Sequence, residues 1–585
     1  MKHSSIPLSQ TVVTLCKMHN IKDVVISPGS RNAPLTIGFT HDNYFNAYSI
    51  VDERCAAFFA LGIAQQKRQP AALVCTSGSA LLNYFPAIAE AFYNEIPLVV
   101  LSADRPEFLV GVGDGQTIHQ KNVYGRHVHY NGRLKLDIRD HISSYQFPRE
   151  QLGSKTKNNS GLKEIQEDIQ SFNEYEIHKA LSIAYQKSGP VHLNVPFEEP
   201  LYKTRNDLMI SPQPFKWQHD NKEEDEIGIK ELKMAWKSAK RKLILVGVLP
   251  PNSIEEKWIN ALAIQPDVIV FTETTSNLYH EDFFPCIDQM IGPLDSDGFE
   301  ALQPDLLITL GGLVVSKKIK ALLRQYKPQK HFHLGKQRAN DTFFCLNHHI
   351  ALDVNSVFEK LHLVVTKQEY SKYKSHWLQV KAHRLQKHRE YEDLIPYSDF
   401  TVFRDVLDAI PTQIQLQIAN SSAIRYAQLF KLNPTIEVFC NRGTSGIDGS
   451  TSTAIGAAVA AKKQVVFITG DLSFFYDSNA LWNNYVPSSF RIILINNLGG
   501  GIFRILPGHK DSDNFDTFFE TKHQLNASHL CEMYNFKYEK ASNTKEIQES
   551  LKSFFAASKC PKVLEIFTPD RLNDKILLDY FTFIK

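Results

Sequence analysis

Short apolar runs rich in valine, isoleucine and leucine recur along this chain, and each ends in small or polar residues ahead of a helix-like stretch. Continuous apolar strands that alternate with helices are typical of parallel sheets covered on both faces. The sequence therefore predicts an α/β fold with three doubly wound domains and mainly parallel sheets. The predicted strands are residues 24–26, 71–75, 98–101, 191–195, 243–248, 268–271, 306–310, 414–419, 437–440, 465–469, 492–496 and 563–567.

Polar and charged stretches separate the apolar runs into groups, and they predict how the 585 residues divide into domains. A polar stretch with Pro212 and Pro214 is typical of a linker, and a highly charged helical stretch follows the second group of strands. Residues 150–166 are polar, and we expect them to form an exposed insertion. The predicted division is a first domain over 1–202, a linker over 203–228, a central domain over 229–366, a helical linker over 367–397 and a third domain over 398–585.

Charge and cysteine usage exclude several classes of protein. Lys and Arg number 65 against 63 Asp and Glu, so the formal charge of +2 gives no overall field for nucleic acid or membrane surfaces. The eight cysteines are scattered without a C-x-x-C pair, which argues against a zinc site and a disulfide scaffold. The first residues lack the apolar core of a signal peptide, and no apolar run reaches membrane-spanning length. We expect a cytoplasmic protein that neither binds nucleic acid nor inserts into a membrane.

Two polar motifs follow neighbouring strands of the third domain, at the sheet edge where ligands of open parallel sheets bind. GDLS, with Asp471, follows residues 465–469, and NNLGGGIF, with Asn497, follows 492–496. A carboxylate, an amide oxygen and a backbone carbonyl are hard ligands suited to Mg²⁺, and glycines let the backbone approach a diphosphate. Either motif alone is equally compatible with an ordinary turn or a loose loop.

The two motifs together resemble the diphosphate and Mg²⁺ motif of thiamine diphosphate (ThDP) enzymes, which begins with Gly-Asp and ends with Asn-Asn. The resemblance implies that Asp471, the Asn497 side chain and the Gly499 carbonyl hold Mg²⁺, with Mn²⁺ as an alternative ion. Leu472 departs from the glycine that is more usual in the wider superfamily. The residues around the diphosphate would be Gly470, Asp471, Leu472 and Ser473.

ThDP chemistry needs a carboxylic acid against N1′ of the aminopyrimidine. In the resembling enzymes this acid follows a strand of the pyrimidine-binding domain. The segment AYSIVDERCAAFFALG puts Glu53 in that place, ahead of a helix of small and apolar residues. Taken alone, D-E-R is typical of a solvated helix N-terminus. Beside the GDLS and NN motifs we interpret Glu53 as the N1′ acid. The loop Thr76-Ser77-Gly78 suits the pyrimidine side of the same cofactor.

Basic residues stand beside small ones at several strand ends. Arginine binds carboxylates in bidentate fashion, so this pattern favours substrates with several carboxylates. Any one of these arginines, taken singly, is better explained by a surface ion pair. The set is Ser30 with Arg31, Arg105, Lys317 with Lys318, Ser421 with Arg425, and Arg442.

Over nearly its whole length the chain resembles the MenD family, the 2-succinyl-5-enolpyruvyl-6-hydroxy-3-cyclohexene-1-carboxylate (SEPHCHC) synthases of menaquinone biosynthesis. The resemblance implies pyrimidine-binding, central and diphosphate-binding domains, in that order. It also implies ThDP-dependent decarboxylation of 2-oxoglutarate and 1,4-addition of the resulting succinyl semialdehyde carbanion to isochorismate. The motifs that carry it, in chain order, are SPGSRNAPL, VDER, TSGSA, ADRP, GQTIHQ, NSSAIR, NRGTSGIDG, GDLSFFYDSNAL and NNLGGGIF.

The same resemblance implies roles for individual residues. Ile447 would be the apolar wedge under the cofactor, and Ser421 and Arg425 would receive the carboxylate derived from 2-oxoglutarate. Lys318 stands where the family often has arginine, and Gly115 replaces an asparagine of some relatives. The residues around isochorismate would be Ser30, Arg31, Arg105, Gln116, Lys317, Lys318 and Arg442, with Gln116 and Ser421 also at the cofactor. Active sites shared between chains would make the protein a homodimer or a homotetramer.

Two alternatives remain open at this point. Another ThDP-dependent 2-oxoacid decarboxylase or carboligase, similar to acetolactate synthase, would use smaller acids, and the arginine-rich set argues against it. A non-catalytic binding protein on the same fold is disfavoured because Glu53, Asp471 and Asn497 are all present.

Overall fold

A computed structural model describes residues 2–138, 159–214, 225–362, 371–505 and 512–585. Parts of three predicted segments lie outside the described residues: 150–158 of the insertion, 215–224 of the first linker and 367–370 of the helical linker.

The elements of the amino-terminal segment alternate between strands and helices. Its strands are β1 (His3–Ser4), β2 (Asp23–Ile26), β3 (Asn46–Ser49), β4 (Ala71–Cys75), β5 (Leu98–Asp104), β6 (Tyr130–Arg133), β7 (Val191–Pro196) and β8 (Thr204–Arg205). Its helices are α1 (Pro7–Met18), α2 (Ala33–His41), α3 (Glu53–Lys67), α4 (Ala80–Asn83), α5 (Phe85–Tyr93) and α6 (Asn159–Lys187).

The first sheet is parallel throughout, with strand order β3-β2-β4-β5-β7-β6. The strands predicted from apolar runs, β2, β4, β5 and β7, are its buried centre. The two edge strands, β3 and β6, carry no continuous apolar run, and a strand with one hydrogen-bonded neighbour needs none. Part of the predicted first linker forms β8, which pairs antiparallel with β1.

The central segment forms a second parallel sheet, with strand order β10-β9-β11-β12-β13. Its strands are β9 (Lys242–Val246), β10 (Val268–Phe271), β11 (Leu306–Leu310), β12 (Lys330–Leu334) and β13 (His348–Ile350). Its helices are α7 (Glu226–Ser238), α8 (Glu256–Ala263), α9 (Ile287–Ile291), α10 (Ser296–Leu302), α11 (Lys317–Gln325) and α12 (Val354–Leu361), and α13 (Lys372–Leu394) follows as the predicted charged helix.

The carboxyl-terminal segment forms a third parallel sheet. Its strands are β14 (Gln415–Ile418), β15 (Glu437–Phe439), β16 (Val465–Gly470), β17 (Arg491–Asn496), β18 (Lys537–Ala541) and β19 (Lys562–Phe567). Its helices are α14 (Asp399–Ala409), α15 (Ser422–Ala427), α16 (Ser450–Ala460), α17 (Asp471–Tyr476), α18 (Ile502–Ile505), α19 (Phe515–Phe518), α20 (Ser528–Met533), α21 (Thr544–Phe554) and α22 (Asn573–Phe583).

The third sheet repeats the strand order of the first, since β15-β14-β16-β17-β19-β18 matches β3-β2-β4-β5-β7-β6 strand for strand. The fold class predicted from the sequence, α/β with doubly wound, mainly parallel sheets, is confirmed. Among the described residues, helices that combine the length and the apolar character needed to cross a membrane are absent.

The chain packs as two compact units. The first unit consists of Met1–Asp220, Thr451–Ala461 and Asp477–Val486, and the second of Asn221–Ser450, Lys462–Tyr476 and Pro487–Lys585. The first unit therefore includes nearly all of α16, which corresponds in sheet order to α3.

Helices α3 and α16 contact each other within the first unit through two glycines. A Cβ atom on Gly62 would collide with the carbonyl of Thr453, and one on Gly456 would collide with the carbonyl of Phe59. Only glycine permits so close an approach of two helix backbones. The small-residue character of both helices in the sequence is thus explained by this packing.

Candidate active site

The loop after β4 gathers several predicted residues of the first unit. Arg105, just beyond β5, donates from Nη1 to Ser77 Oγ at 2.6 Å and to the Gln116 carbonyl at 3.0 Å. Its Nε lies 2.7 Å from the Asp114 carboxylate. Thr76 and Ser77 are buried, and a Cβ on Gly78 would press against the backbone of Gln116. The structure therefore brings the TSG, ADRP and GQT segments together.

Arg31 joins the same loop from the carboxyl end of β2. Its backbone N–H donates to Thr76 Oγ1 at 3.3 Å, and its guanidinium donates to the Phe197 carbonyl at 2.9 Å. Nη2 also forms an ion pair with Glu199 at 2.7 Å, which holds the pKa of that carboxyl below its usual range, against the effect of burial. The neighbouring Ser30 is exposed. Arg31 is thus fixed by protein groups, while its Nε is buried with no partner among the described residues.

Glu53 is the first residue of α3 and is partly buried. Its Oε2 accepts a hydrogen bond from Asn83 Nδ2 at 3.2 Å. Burial raises the pKa of the Cys75 thiol, and the nearby Glu53 carboxylate raises it further, which indicates that Glu53 lies near the end of β4. The position fits an acid beside the TSG loop.

Gln120 is a site residue that the sequence analysis missed. It is 2% exposed, accepts from Gly78 N at 3.0 Å and donates to Asn194 Oδ1 at 2.7 Å. It therefore fixes the TSG loop against β7. Gln120 is the last residue of the GQTIHQ motif, but Gln116 was the residue of that motif that the sequence analysis selected for the site.

In the second unit, Asp471 begins α17 at the carboxyl end of β16. Its Oδ1 accepts from Leu472 N at 2.6 Å and its Oδ2 from Gly499 N at 3.0 Å. Gly499 has a φ of +154°, and a Cβ there would lie 2.8 Å from the Glu520 carbonyl oxygen, so another side chain would disrupt the loop. His523 Nε2 lies 3.3 Å from Asp471 Oδ2. The structure thus joins GDLS to the NNLGG loop.

Asn497 stands on the same loop and is oriented by a buried acid that the sequence analysis missed. Its Nδ2 donates to Asp399 Oδ2 at 3.0 Å, while Thr568 Oγ1 donates to Asp399 Oδ1 at 2.5 Å. Burial raises the pKa of Asp399 to about 6, although the hydrogen bonds from Asn497 and Thr568 lower it. Because the amide nitrogen is engaged, the amide oxygen of Asn497 remains the atom available to a cation.

The surroundings of Asp471 fit a diphosphate and a metal ion. A Cβ built on Gly470 meets nothing within 4 Å, so the backbone beside Asp471 faces open space. Ser473 Oγ donates to the Ile447 carbonyl at 3.1 Å, which ties the SGID segment to the GDLS turn. A carboxylate and an amide oxygen beside an open glycine cradle form the hard-oxygen donor set that Mg²⁺ prefers.

Two predicted arginines lie near the buried Glu273 and the partly buried Asp288 in the second unit. Burial lowers the pKa of Arg425, and the like charge of Arg442 contributes to that shift. The carboxylates of Asp288 and Glu273 act in the opposite direction. Arg442 donates from Nη1 to Asn420 Oδ1 at 2.8 Å, and its Nε is buried with no partner in the described part of the chain. Glu273 is 2% exposed and accepts from Val315 N and Ser316 N at 2.7 and 2.8 Å.

The three lysines of VSKKIK, at the start of α11, lie in different surroundings. Lys317 is exposed, whereas the Nζ of Lys318 lies 3.4 Å from the centre of the Phe581 ring. Burial lowers the pKa of Lys320, and the like charge of Arg442 contributes to that shift, whereas the carboxylate of Glu273 opposes it. Lys320, which the sequence analysis did not select, is therefore the lysine that lies near Arg442. It follows Lys317 by three residues, the spacing of one helical face.

Ser421 has a φ of 69° and a ψ of −129° immediately before α15. A residue other than glycine with this backbone conformation carries strain, and such residues cluster at functional sites. It lies four residues before Arg425, on the same short segment after β14.

Two family models match the chain where these groups lie. Residues 6–123 match the thiamine pyrophosphate enzyme N-terminal TPP-binding domain, and residues 420–566 match the C-terminal TPP-binding domain. Thiamine pyrophosphate is thiamine diphosphate under another name. The fold and these matches define a thiamine diphosphate enzyme.

Full-length relatives narrow this class. The chain is 52% identical to a SEPHCHC synthase of Christiangramia forsetii over 100% of both chains, and 50% identical to one of Flavobacterium psychrophilum over 99% of both. It is 34% identical to a SEPHCHC synthase of Porphyromonas gingivalis, over 98% of this chain and 96% of the other. The chain belongs to the SEPHCHC synthase family, as its sequence motifs predicted.

Proposed function

We propose that this protein is a ThDP-dependent SEPHCHC synthase, which decarboxylates 2-oxoglutarate and adds the four-carbon product to isochorismate in menaquinone biosynthesis. The observation that carries the proposal is the joined GDLS and NNLGG loops, within a chain whose full length matches synthases of this name. The arginines near Glu273 and Asp288 in the second unit favour dicarboxylate substrates over the smaller acids of an acetolactate synthase.

Asp471, Asn497 and the Gly499 carbonyl would hold Mg²⁺, with Mn²⁺ as the alternative ion, and Gly470, Leu472 and Ser473 would surround the diphosphate. The open space at Gly470 and the Asn497 amide fixed by Asp399 support this assignment. When bound, ThDP supplies a carbon nucleophile and an electron sink for the loss of CO₂.

In the first unit, Glu53 would hold a proton toward N1′ of the aminopyrimidine. The loop Thr76–Gly78, fixed by Arg105 and Gln120, supports a rigid wall for that ring. Ile447 would pack under the cofactor as an apolar wedge, and its carbonyl contact with Ser473 supports that position.

The remaining residues would bind the two substrates. Ser421 and Arg425 would receive the carboxylate of 2-oxoglutarate, and preorganised cations would stabilise negative charge where it develops. Arg31 already forms an ion pair with Glu199, so it would bind isochorismate as part of that pair. The residues around isochorismate would be Ser30, Arg31, Arg105, Gln116, Lys317, Lys318 and Arg442.

The decisive experiment mixes the protein with ThDP, Mg²⁺, 2-oxoglutarate and isochorismate. We expect release of CO₂ together with loss of the isochorismate absorbance. Parallel reactions replace 2-oxoglutarate with pyruvate. Turnover of pyruvate but not 2-oxoglutarate would favour the acetolactate synthase alternative, and failure to bind ThDP with Mg²⁺ would favour a non-catalytic protein.

We further propose that the protein is at least a homodimer, with Glu53 and Asp471 of each active site supplied by different chains. Mixing and reassociating Glu53→Gln and Asp471→Asn variants tests this arrangement, because a mixed dimer then contains one intact site. Equal mixing should restore about a quarter of the wild-type activity. Sites built within one chain would restore none.

A further inference from the structure

The first turn of α3 is anchored on both sides of Glu53 by side chains from residues 477–486, all within the first unit. On one side, Asp52 caps the helix, and its Oδ1 accepts from Cys55 N at 3.1 Å. Its other oxygen, Oδ2, accepts from Asn479 Nδ2 at 2.8 Å. Asn479 thus fixes the capping residue that directly precedes Glu53.

On the other side, Asp477 contacts the two residues that follow Glu53. Its Oδ1 lies 3.5 Å from Arg54 Nη2 and accepts from Cys55 Sγ at 3.6 Å. Asp477 is fully buried and also accepts from the backbone N–H and hydroxyl of Ser452, at 2.7 and 2.9 Å. Since Ser452 lies in the first turn of α16, Asp477 joins the starts of α3 and α16.

Glu53 itself has a weaker attachment, the 3.2 Å hydrogen bond from Asn83. Its carboxyl position is therefore set chiefly by the backbone of the turn that Asp52, Arg54 and Cys55 hold. A misplacement of about 1 Å in a reacting group costs about 100-fold in rate. The anchoring side chains are consequently placed to control the geometry of the acid through the residues on either side of it.

We propose that Asp477 and Asn479 are positioning residues for Glu53, which hold the first turn of α3 so that its carboxyl meets the cofactor in one geometry. This inference rests on the proposed role of Glu53 in the synthase. It gives a function to the second half of GDLSFFYDSNAL, which the metal motif leaves unassigned.

Asn479→Ala is the cleanest test, because Asn479 is exposed and the change leaves no buried cavity. In the full-length protein without ThDP, we expect hydrogen exchange of amides in residues 50–60 to accelerate about 5-fold, the effect of losing one side-chain hydrogen bond to the capping residue. At saturating ThDP and Mg²⁺, kcat for CO₂ release should fall on the order of 10-fold to 100-fold, with KM for 2-oxoglutarate unchanged. Asn479→Gln keeps the donor and should recover most of kcat.

Asn543→Ala is the matched control, since Asn543 is an exposed asparagine that caps α21 by accepting from Glu546 N. Its loss should accelerate exchange in α21 alone and leave kcat unchanged. Asp477→Asn tests the buried partner by removing the charge that faces Arg54, and it should change exchange and kcat in the same directions as Asn479→Ala.

Unchanged exchange of residues 50–60 in Asn479→Ala would overturn the anchor. Faster exchange with unchanged kcat would overturn the positioning role and leave a helix cap that only stabilises. A wild-type protein that binds ThDP but releases no CO₂ from 2-oxoglutarate would contradict the proposed substrates instead, and the exchange measurement would still decide the anchor.

Discussion

The side-chain amide of Asn497 donates a hydrogen bond to the carboxylate of Asp399, with Nδ2 and Oδ2 3.0 Å apart. Asp399 begins α14, 98 residues earlier in the chain, and is 2% exposed. A buried acceptor that holds the nitrogen of an amide decides which way its oxygen points. The orientation of a proposed metal ligand is therefore set by a residue outside both cofactor motifs.

Asp399→Ala should weaken metal binding while leaving Asp471 in place. Loss of a residue that orients a metal ligand typically costs 10-fold to 100-fold in affinity, so the Mg²⁺ concentration for half-maximal activation should rise by about that factor. Calorimetric titration of Mg²⁺ in the presence of ThDP measures the same change directly. Asp405→Ala, on the same helix, serves as the control, and equal affinities in both variants would contradict the orienting role.

Glu53→Gln retains the shape of the side chain and removes the proposed proton donor. We expect CO₂ release to fall by about 1,000-fold or more, with unchanged far-ultraviolet circular dichroism. Glu107→Gln is the control, because Glu107 is exposed and pairs only with Arg133 among the contacts described. Unimpaired CO₂ release by Glu53→Gln would remove Glu53 from the mechanism.

Arg425→Ala should chiefly harm the use of 2-oxoglutarate. Leaving a buried carboxylate without its cation costs at least about 2 kcal/mol, so KM for 2-oxoglutarate should rise about 30-fold or more. KM for isochorismate should change far less. Arg571→Ala removes an exposed arginine that pairs with Asp516 and serves as the control. Unchanged saturation by 2-oxoglutarate would rule out the assigned contact.

Glu273 should make the stability of the second unit depend on pH. Burial, together with the nearby charge of Asp288, raises the pKa of Glu273 to about 7. The N–H groups of Val315 and Ser316 and the charge of Arg442 act in the opposite direction. A carboxyl with a raised folded-state pKa favours folding below its unfolded pKa and loses that contribution as the pH rises toward 7.

The variant Glu273→Gln cannot ionise, and like the protonated acid it offers one acceptor oxygen to the two N–H groups. Between about pH 5 and about pH 8 the wild type should therefore lose about 3 kcal/mol relative to the variant. Thermal unfolding across this range measures the difference in apparent Tm, which should shift in favour of the variant at higher pH. A difference that stays constant with pH would show that Glu273 does not titrate there.

The sequence predicted the strands that carry a continuous apolar run, including the edge strands β10 and β15. It did not mark β3, β6, β12, β13 and β18 by such a run, since they lack one. Val465–Gly470 and Arg491–Asn496 are buried on both faces, so their apolar runs were visible, and the motifs after them marked the ligand edge. Asn46–Ser49 is an edge strand with two exposed residues and lacks such a run. Lys330–Leu334 is an interior, buried strand, but its two histidines interrupt the apolar run. Predicted strands thus followed the apolar run and missed buried strands that carry polar side chains.

Candidate residues that stand beside a local motif, such as Asp471 at its own turn and Glu53 at its own helix start, could be selected from the chain alone. Asp399, Gln120 and Asp477 could not, since each acts on a partner that is 42 to 423 residues away in sequence. A short motif records which groups a turn carries, but it does not record which distant side chain satisfies a buried polar atom. That pairing arises only when the strands and helices are packed, so the tertiary structure decided it.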